Sequence, residues 1–110
     1  MRNVGSFVIA GLVVVSASAW SQTTTGRLIG TTVDESGAVL PGVIVAISSP
    51  ALIGGDQVKT TDARGEFVFL SLAPGEYRVA AELAGYVPQE RARVKVSVGG
   101  AAALTIAMPA

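Results

Sequence analysis

From residue 27 onward the chain is a succession of short runs that alternate apolar and polar residues. A glycine- or proline-bearing turn interrupts them roughly every 8 to 12 residues. This punctuation constrains the fold more than any other feature of the sequence. It predicts strands over 27–33, 43–48, 57–61, 66–70, 76–82, 90–98 and 104–108. No stretch carries a helical period that outweighs the alternation, and the three alanines at 101–103 tolerate helix but are too few to build one. The two-residue period puts Val43, Val45 and Ile47 on one face of their strand, Phe67 and Phe69 on one face of the next, and Tyr77, Val79 and Ala81 together. In the sixth run Arg91, Arg93 and Lys95 alternate with Ala92, Val94, Val96 and Val98, which predicts a half-buried strand with a basic, wet face. Seven short antiparallel strands in about 80 residues predict an all-β fold of two sheets packed face to face. Alternation sets the faces of strands, not their order.

The turns carry their own chemistry. Asp34-Glu35-Ser36-Gly37 and Asp62-Ala63-Arg64-Gly65 each place Asp first and Gly last. The Asp side chain can accept backbone N–H groups, and the Gly can take a positive φ. Pro41-Gly42 and Pro74-Gly75 are further turns, and Ala84-Gly85-Tyr86-Val87-Pro88 reads as a corner. Residues 49–55 (SPALIGG) form a loop that holds Leu52 and Ile53 between breakers.

The first 19 residues read as a secretory signal peptide rather than part of the fold. Arg2 is a short basic start, 7–15 (FVIAGLVVV) is an uncharged apolar run, and Ala17-Ser18-Ala19 fits the small-x-small cleavage pattern. The apolar run is about half the roughly 20 residues needed to span a bilayer. Residues 20–26 (WSQTTTG) are polar and read as a flexible mature N-terminus, with the folded domain over 27–108. The expected destination is therefore the periplasm, the outer membrane or the exterior. Membrane contact is expected only through the signal peptide before cleavage.

Composition excludes several classes of function. The 110 residues include no His and no Cys. A zinc site of the usual type, a Cys nucleophile and a Ser-His-Asp triad are all out of reach. Eight basic residues balance eight acidic ones, so there is no field to draw in nucleic acid. Asp34, Glu35, Asp56 and Asp62 supply hard oxygen atoms, but in turn positions where acidic residues serve the local backbone. No catalytic, cofactor or metal site is expected.

The stretch 61–79 (TDARGEFVFLSLAPGEYRV), followed by Gly85-Tyr86, resembles the carboxypeptidase regulatory-like domain. The upstream segment 30–43 (GTTVDESGAVLPGV) looks like the opening strand, turn and Pro-Gly lead-in of the same family. The resemblance implies a seven-stranded Greek-key β-sandwich of the prealbumin-like (transthyretin-like) type. Such domains sit beside metallocarboxypeptidase catalytic domains and at the N-terminus of TonB-dependent outer-membrane receptors. The resemblance thus implies an exported, non-enzymatic accessory module for docking or structural spacing, with a protein partner in the cell envelope. An N-terminal fragment of a TonB-dependent receptor is one alternative, because no plug, barrel or peptidase sequence follows residue 110.

A carbohydrate-binding module is the other alternative, since the wider fold group includes starch-binding-like domains. Sugar platforms use exposed rings. Phe67, Phe69 and Tyr77 alternate inward, which leaves Tyr86, at the corner after Gly85, as the candidate exposed ring. Leu52 and Ile53 are the candidate partner contacts, or alternatively a flap over the open end of the core.

Overall fold

A computed structural model describes residues 24–110. The signal peptide expected at 1–19, and residues 20–23 of the expected flexible segment, lie outside the described residues. Seven strands follow: β1 (Gly26–Val33), β2 (Ile44–Ser48), β3 (Gln57–Thr60), β4 (Glu66–Leu72), β5 (Gly75–Glu82), β6 (Gln89–Val96) and β7 (Ala101–Ala107). Gly26, expected in the flexible segment, is already a buried part of β1. The strands form a three-stranded sheet in the order β4-β1-β7 and a four-stranded sheet in the order β3-β2-β5-β6. The predicted sandwich is what the chain builds.

The core lies between the sheets. Leu28, Phe67, Phe69, Leu72 and Ile106 come from the three-stranded sheet, and Val45, Ile47, Tyr77, Val79, Ala81 and Val96 from the other. Alternation placed both phenylalanines and the Tyr77-Val79-Ala81 set correctly, because each lies in a stretch with an unbroken two-residue period. The Phe67 and Phe69 rings meet edge-on, with centroids 6.0 Å apart.

Five strand pairs hold the two sheets, and four of them are antiparallel. The fifth departs from the all-antiparallel expectation. β7 runs parallel to β1, from Arg27↔Ala101 to Val33↔Ala107. The chain leaves β6 in one sheet, turns at 97–100 and enters the other sheet beside its own first strand. This pairing also draws Ala101, Ala102 and Ala103 into strand. Their weak intrinsic preference yields to a ready-made partner.

Because the first and last strands are parallel, the sandwich has distinct ends. β1 starts at the end that carries loop 49–56 and turns 73–74 and 97–100. β7 finishes at the opposite end, with loop 34–43, turn 61–65 and corner 83–88. An eight-residue strand separates the two by about 26 Å.

Two β-bulges correct what simple alternation predicts. Between Phe69↔Leu28 and Leu72↔Gly26, the two residues Leu70 and Ser71 face the single residue Arg27. Between Arg91↔Val79 and Val94↔Tyr77, Ala92 and Arg93 face only Arg78. Ser71 (φ 55°) and Arg93 (φ 60°) take the left-handed conformation that lets one extra residue fit. The first bulge turns Leu72 inward beside Phe67 and Phe69. The second breaks up the expected basic face. Arg91 falls on the core side level with Val79 and is half-buried, whereas Lys95 lies opposite Glu76 on the outer face.

Candidate functional site

The two Asp-first turns are near-copies of one structure. In the first, Asp34 Oδ1 accepts the backbone N–H of Ser36 at 2.8 Å and of Ala38 at 3.0 Å, and the Ser36 hydroxyl at 2.7 Å. In the second, Asp62 Oδ1 accepts the N–H of Arg64 at 2.9 Å and of Glu66 at 3.0 Å. The glycine N–H closes each turn onto the Asp carbonyl, Gly37 at 3.0 Å and Gly65 at 2.9 Å. The Ser36 hydroxyl and then the Ala38 N–H hold the Asp34 carboxyl below the usual carboxylate range. The N–H groups of Glu66 and Arg64, helped by the Arg64 charge, do the same for Asp62. These carboxylates are committed to their own backbone. Among the described residues no group of three or more His, Cys, Asp or Glu comes together to hold a metal ion.

Tyr86 sits at the β7-exit end. Its ring is half-buried and packs on the core cluster. The exposed part faces a shallow depression of about 210 Å³ that Asp34, Glu35, Ser36 and Ala110 also line. The corner is pinned by Tyr86 N–H to Leu83 O at 3.0 Å and Val87 N–H to Pro109 O at 2.7 Å. Tyr86 is therefore an anchored, half-buried corner residue rather than a free platform.

Leu52 and Ile53 lie at the other end. Leu52 packs against the core as a flap, while Ile53 is 99% exposed. The Ser49 hydroxyl holds the loop base, donating to Glu76 O at 2.7 Å and accepting the Ala51 N–H at 3.1 Å. The structure thus does not bring the three candidate contacts together. Tyr86 stands at one end, and Leu52 and Ile53 at the other.

One groove among the described residues has no counterpart in the sequence pattern. It has a volume of about 720 Å³ and runs between Ser48–Ala51 of the loop, Asp56, the start of β5 and the β6 bulge. Glu76, Arg78 and Arg93 bring both signs of charge to it. Arg78 also reaches Glu90 at 3.5 Å, with both side chains more than half exposed, so the pair contributes little to stability. The bulge residues Ala92 and Arg93 form one wall of the groove. No local sequence signal announces it, since Ala92-Arg93 continues the apparent alternation.

The outer face of the three-stranded sheet is unlike the rest of the surface. Ile29, Thr31, Val68, Leu70, Ala103 and Thr105 point outward there, and the charged residues of the face, Arg27 and Glu66, stand at its two ends. A shallow trough of about 390 Å³ crosses it, with Glu66 at its margin.

These features define a small β-sandwich domain whose chemistry resides in its edges, loops and faces. The chain belongs to the carboxypeptidase regulatory-like domain family, whose model matches residues 27–109. It is 35% identical over 97 residues to the TonB-dependent transporter Oar of Myxococcus xanthus. That match covers 87% of this chain and 9% of the transporter, so the chain spans only a small part of that relative. Among solved structures, the Bacillus anthracis TIE protein superposes with a TM-score of 0.68 at 26% identity, over 78% of this chain and 16% of that one. GBS52, the minor pilin of Streptococcus agalactiae, superposes with a TM-score of 0.61 at 21% identity, over 80% and 45%. The pilin likeness speaks to the fold alone.

Proposed function

We propose that this domain is an exported, non-enzymatic accessory module that spaces and docks other folded units in the cell envelope. The observation that carries this reading is the parallel pairing of β1 with β7. A domain entered at one end and left at the other adds its own length, about 26 Å, between whatever is joined to either side. A domain whose first and last strands were antiparallel neighbours would instead fold the chain back. The match to a small share of a TonB-dependent transporter supports the same setting, as one accessory domain of such a receptor at the outer membrane. The exposed Ile53 at the end where β1 begins is the docking contact on this reading. The glycan reading is weaker, because the ring it depends on is half-buried against the core.

The test is fractionation of cells expressing the chain, followed by photo-crosslinking from position 53. The reading expects the protein in the envelope fraction and one discrete protein adduct that excess unlabelled chain competes away. Recovery of the chain in the cytoplasm would overturn it. So would saturable NMR shifts around Tyr86 with a glycan panel and no protein adduct.

A further inference from the structure

Among the described residues the two open sheets have four edge strands, and three of them carry devices that discourage pairing. β3 has only four residues and bears Lys59. β4 begins with Glu66 and is interrupted by the Ser71 bulge. β6 carries Glu90, Arg91, Arg93 and Lys95 as well as its own bulge. Short length, charge and bulges are the usual means of protecting an edge.

The fourth edge, β7, has none of these. Its seven residues, AALTIA preceded by one further alanine, include no charge, no proline and no bulge. The β1 ladder also shows which of its backbone groups remain open. Gly100 O accepts Arg27 N–H at 3.0 Å, and Met108 N–H donates to Val33 O at 2.8 Å. In a regular parallel ladder, alternate residues bond to the neighbouring strand. The even-numbered residues of β7 therefore face β1. Ala101, Ala103, Thr105 and Ala107 direct their N–H and C=O groups to the free edge, and all four are exposed.

We propose that β7 pairs antiparallel with β7 of a second copy of this chain, about a two-fold axis at Leu104. In that register the outward-bonding residues meet one another. Ala101 faces Ala107 and Ala103 faces Thr105, each pair occurring twice, with up to eight backbone hydrogen bonds from the four hydrogen-bonded pairs. Every opposed side chain on the outer face is small and uncharged, so the register opposes no like charges. On the inner face Leu104, half-buried in one copy, packs on Leu104 of the other, and Ala102 meets Ile106. The strand is thus complementary to itself in the one register that uses its full length. The result is a continuous six-stranded sheet, β4-β1-β7-β7-β1-β4, whose outer face is uncharged along the β7-β7 seam, with Arg27 and Glu66 of each copy away from it on β1 and β4. This pairing is independent of the spacer role, because it uses a lateral edge and leaves both ends free.

The test is sedimentation equilibrium of the purified protein up to millimolar concentration, with two double variants matched in position. Ala103→Lys with Thr105→Lys places lysine opposite lysine twice in this register. It is expected to weaken association at least about tenfold. Ala103→Lys with Thr105→Glu places lysine opposite glutamate twice and is expected to keep the dimer. Both substitutions are at exposed positions, and far-UV circular dichroism establishes that each variant is folded. Amide exchange at Ala103 and Thr105 should slow as concentration rises. A wild-type protein that stays monomeric at millimolar concentration overturns the proposal and leaves the edge to a strand from a different protein. A dimer that survives in the lysine–lysine variant equally overturns it.

Discussion

The hydroxyls of Thr32 and Thr61 converge on one acceptor, the carbonyl oxygen of Leu40, at 2.8 and 2.9 Å. Both threonines are buried, and they come from different elements. Thr61 Oγ1 also accepts the N–H of Val43 at 2.9 Å, and Thr32 Oγ1 lies 3.2 Å from Gly65 O. The pair ties the 34–43 loop to the 61–65 turn where the core would otherwise lose its cover. Thr61→Val should cost about 2–3 kcal/mol, because it strands the buried Val43 N–H. Thr32→Val should cost about 1 kcal/mol, since Leu40 O keeps its other donor. Thermal melts of the two variants check the order, at about 4–8 °C per kcal/mol for a domain of this size. Equal losses would mean that the Val43 bond carries no weight.

Gly30 and Phe67 face each other across β1 and β4, and the ring lies over the glycine. A Cβ at position 30 would run into that ring and stand 2.8 Å from Leu104 O. Gly30→Ala should therefore destabilise by about 1–3 kcal/mol, and Phe67→Ala by about 3–5 kcal/mol. Adding Phe67→Leu to Gly30→Ala should recover part of the loss, which chemical denaturation of the double variant would read as non-additivity.

The twin turns separate backbone strain from packing. Gly37 and Gly65 both have positive φ, at 89° and 72°. A Cβ at Gly37 meets nothing within 4 Å, whereas one at Gly65 comes within 2.7 Å of Thr32 O. Gly37→Ala should cost about 1 kcal/mol, and Gly65→Ala about 2–4 kcal/mol. The converse holds at the bulges. Ser71→Gly and Arg93→Gly should each stabilise by up to about 1 kcal/mol, because they relieve a left-handed backbone that other residues adopt at a cost. Denaturant midpoints would measure all four.

Acid should weaken the fold through Asp34 and Asp62. Both carboxyls are depressed below the ordinary value of 3.8 in the folded chain. Their contribution is fully present above that value and is lost as pH falls through the lower, folded one. Melting temperature should decline from about pH 5 downward, and Asp34→Asn with Asp62→Asn should flatten that decline. At the alkaline side, burial raises the Tyr77 phenol above its ordinary 10.0. Its contribution is present below pH 10 and is lost as pH rises through the folded value. Tyr77→Phe should abolish the alkaline decline and lose the 2.7 Å bond that the hydroxyl donates to Ala73 O.

Much of this domain was legible in a single sequence because much of it is local. The inward set Phe67, Phe69, Tyr77, Val79 and Ala81 follows from a period of two, and the Asp-x-x-Gly turns from hydrogen bonds that span four residues. Residues 61–79 carried enough of this to indicate the family. What needed the tertiary structure is non-local. The partner that makes Ala101, Ala102 and Ala103 a strand lies more than 70 residues away in β1. Ser71 and Arg93 become bulges only because the facing strand offers one residue to two, and each bulge reverses the face of everything after it. Tyr86 and Ile53 both lie in turn-rich segments, yet strand pairing sends them to opposite ends of the sandwich. Side-chain alternation is written along the chain, whereas register and strand order come from contacts between distant segments, where each pairing energy depends on what the rest of the fold has already placed alongside.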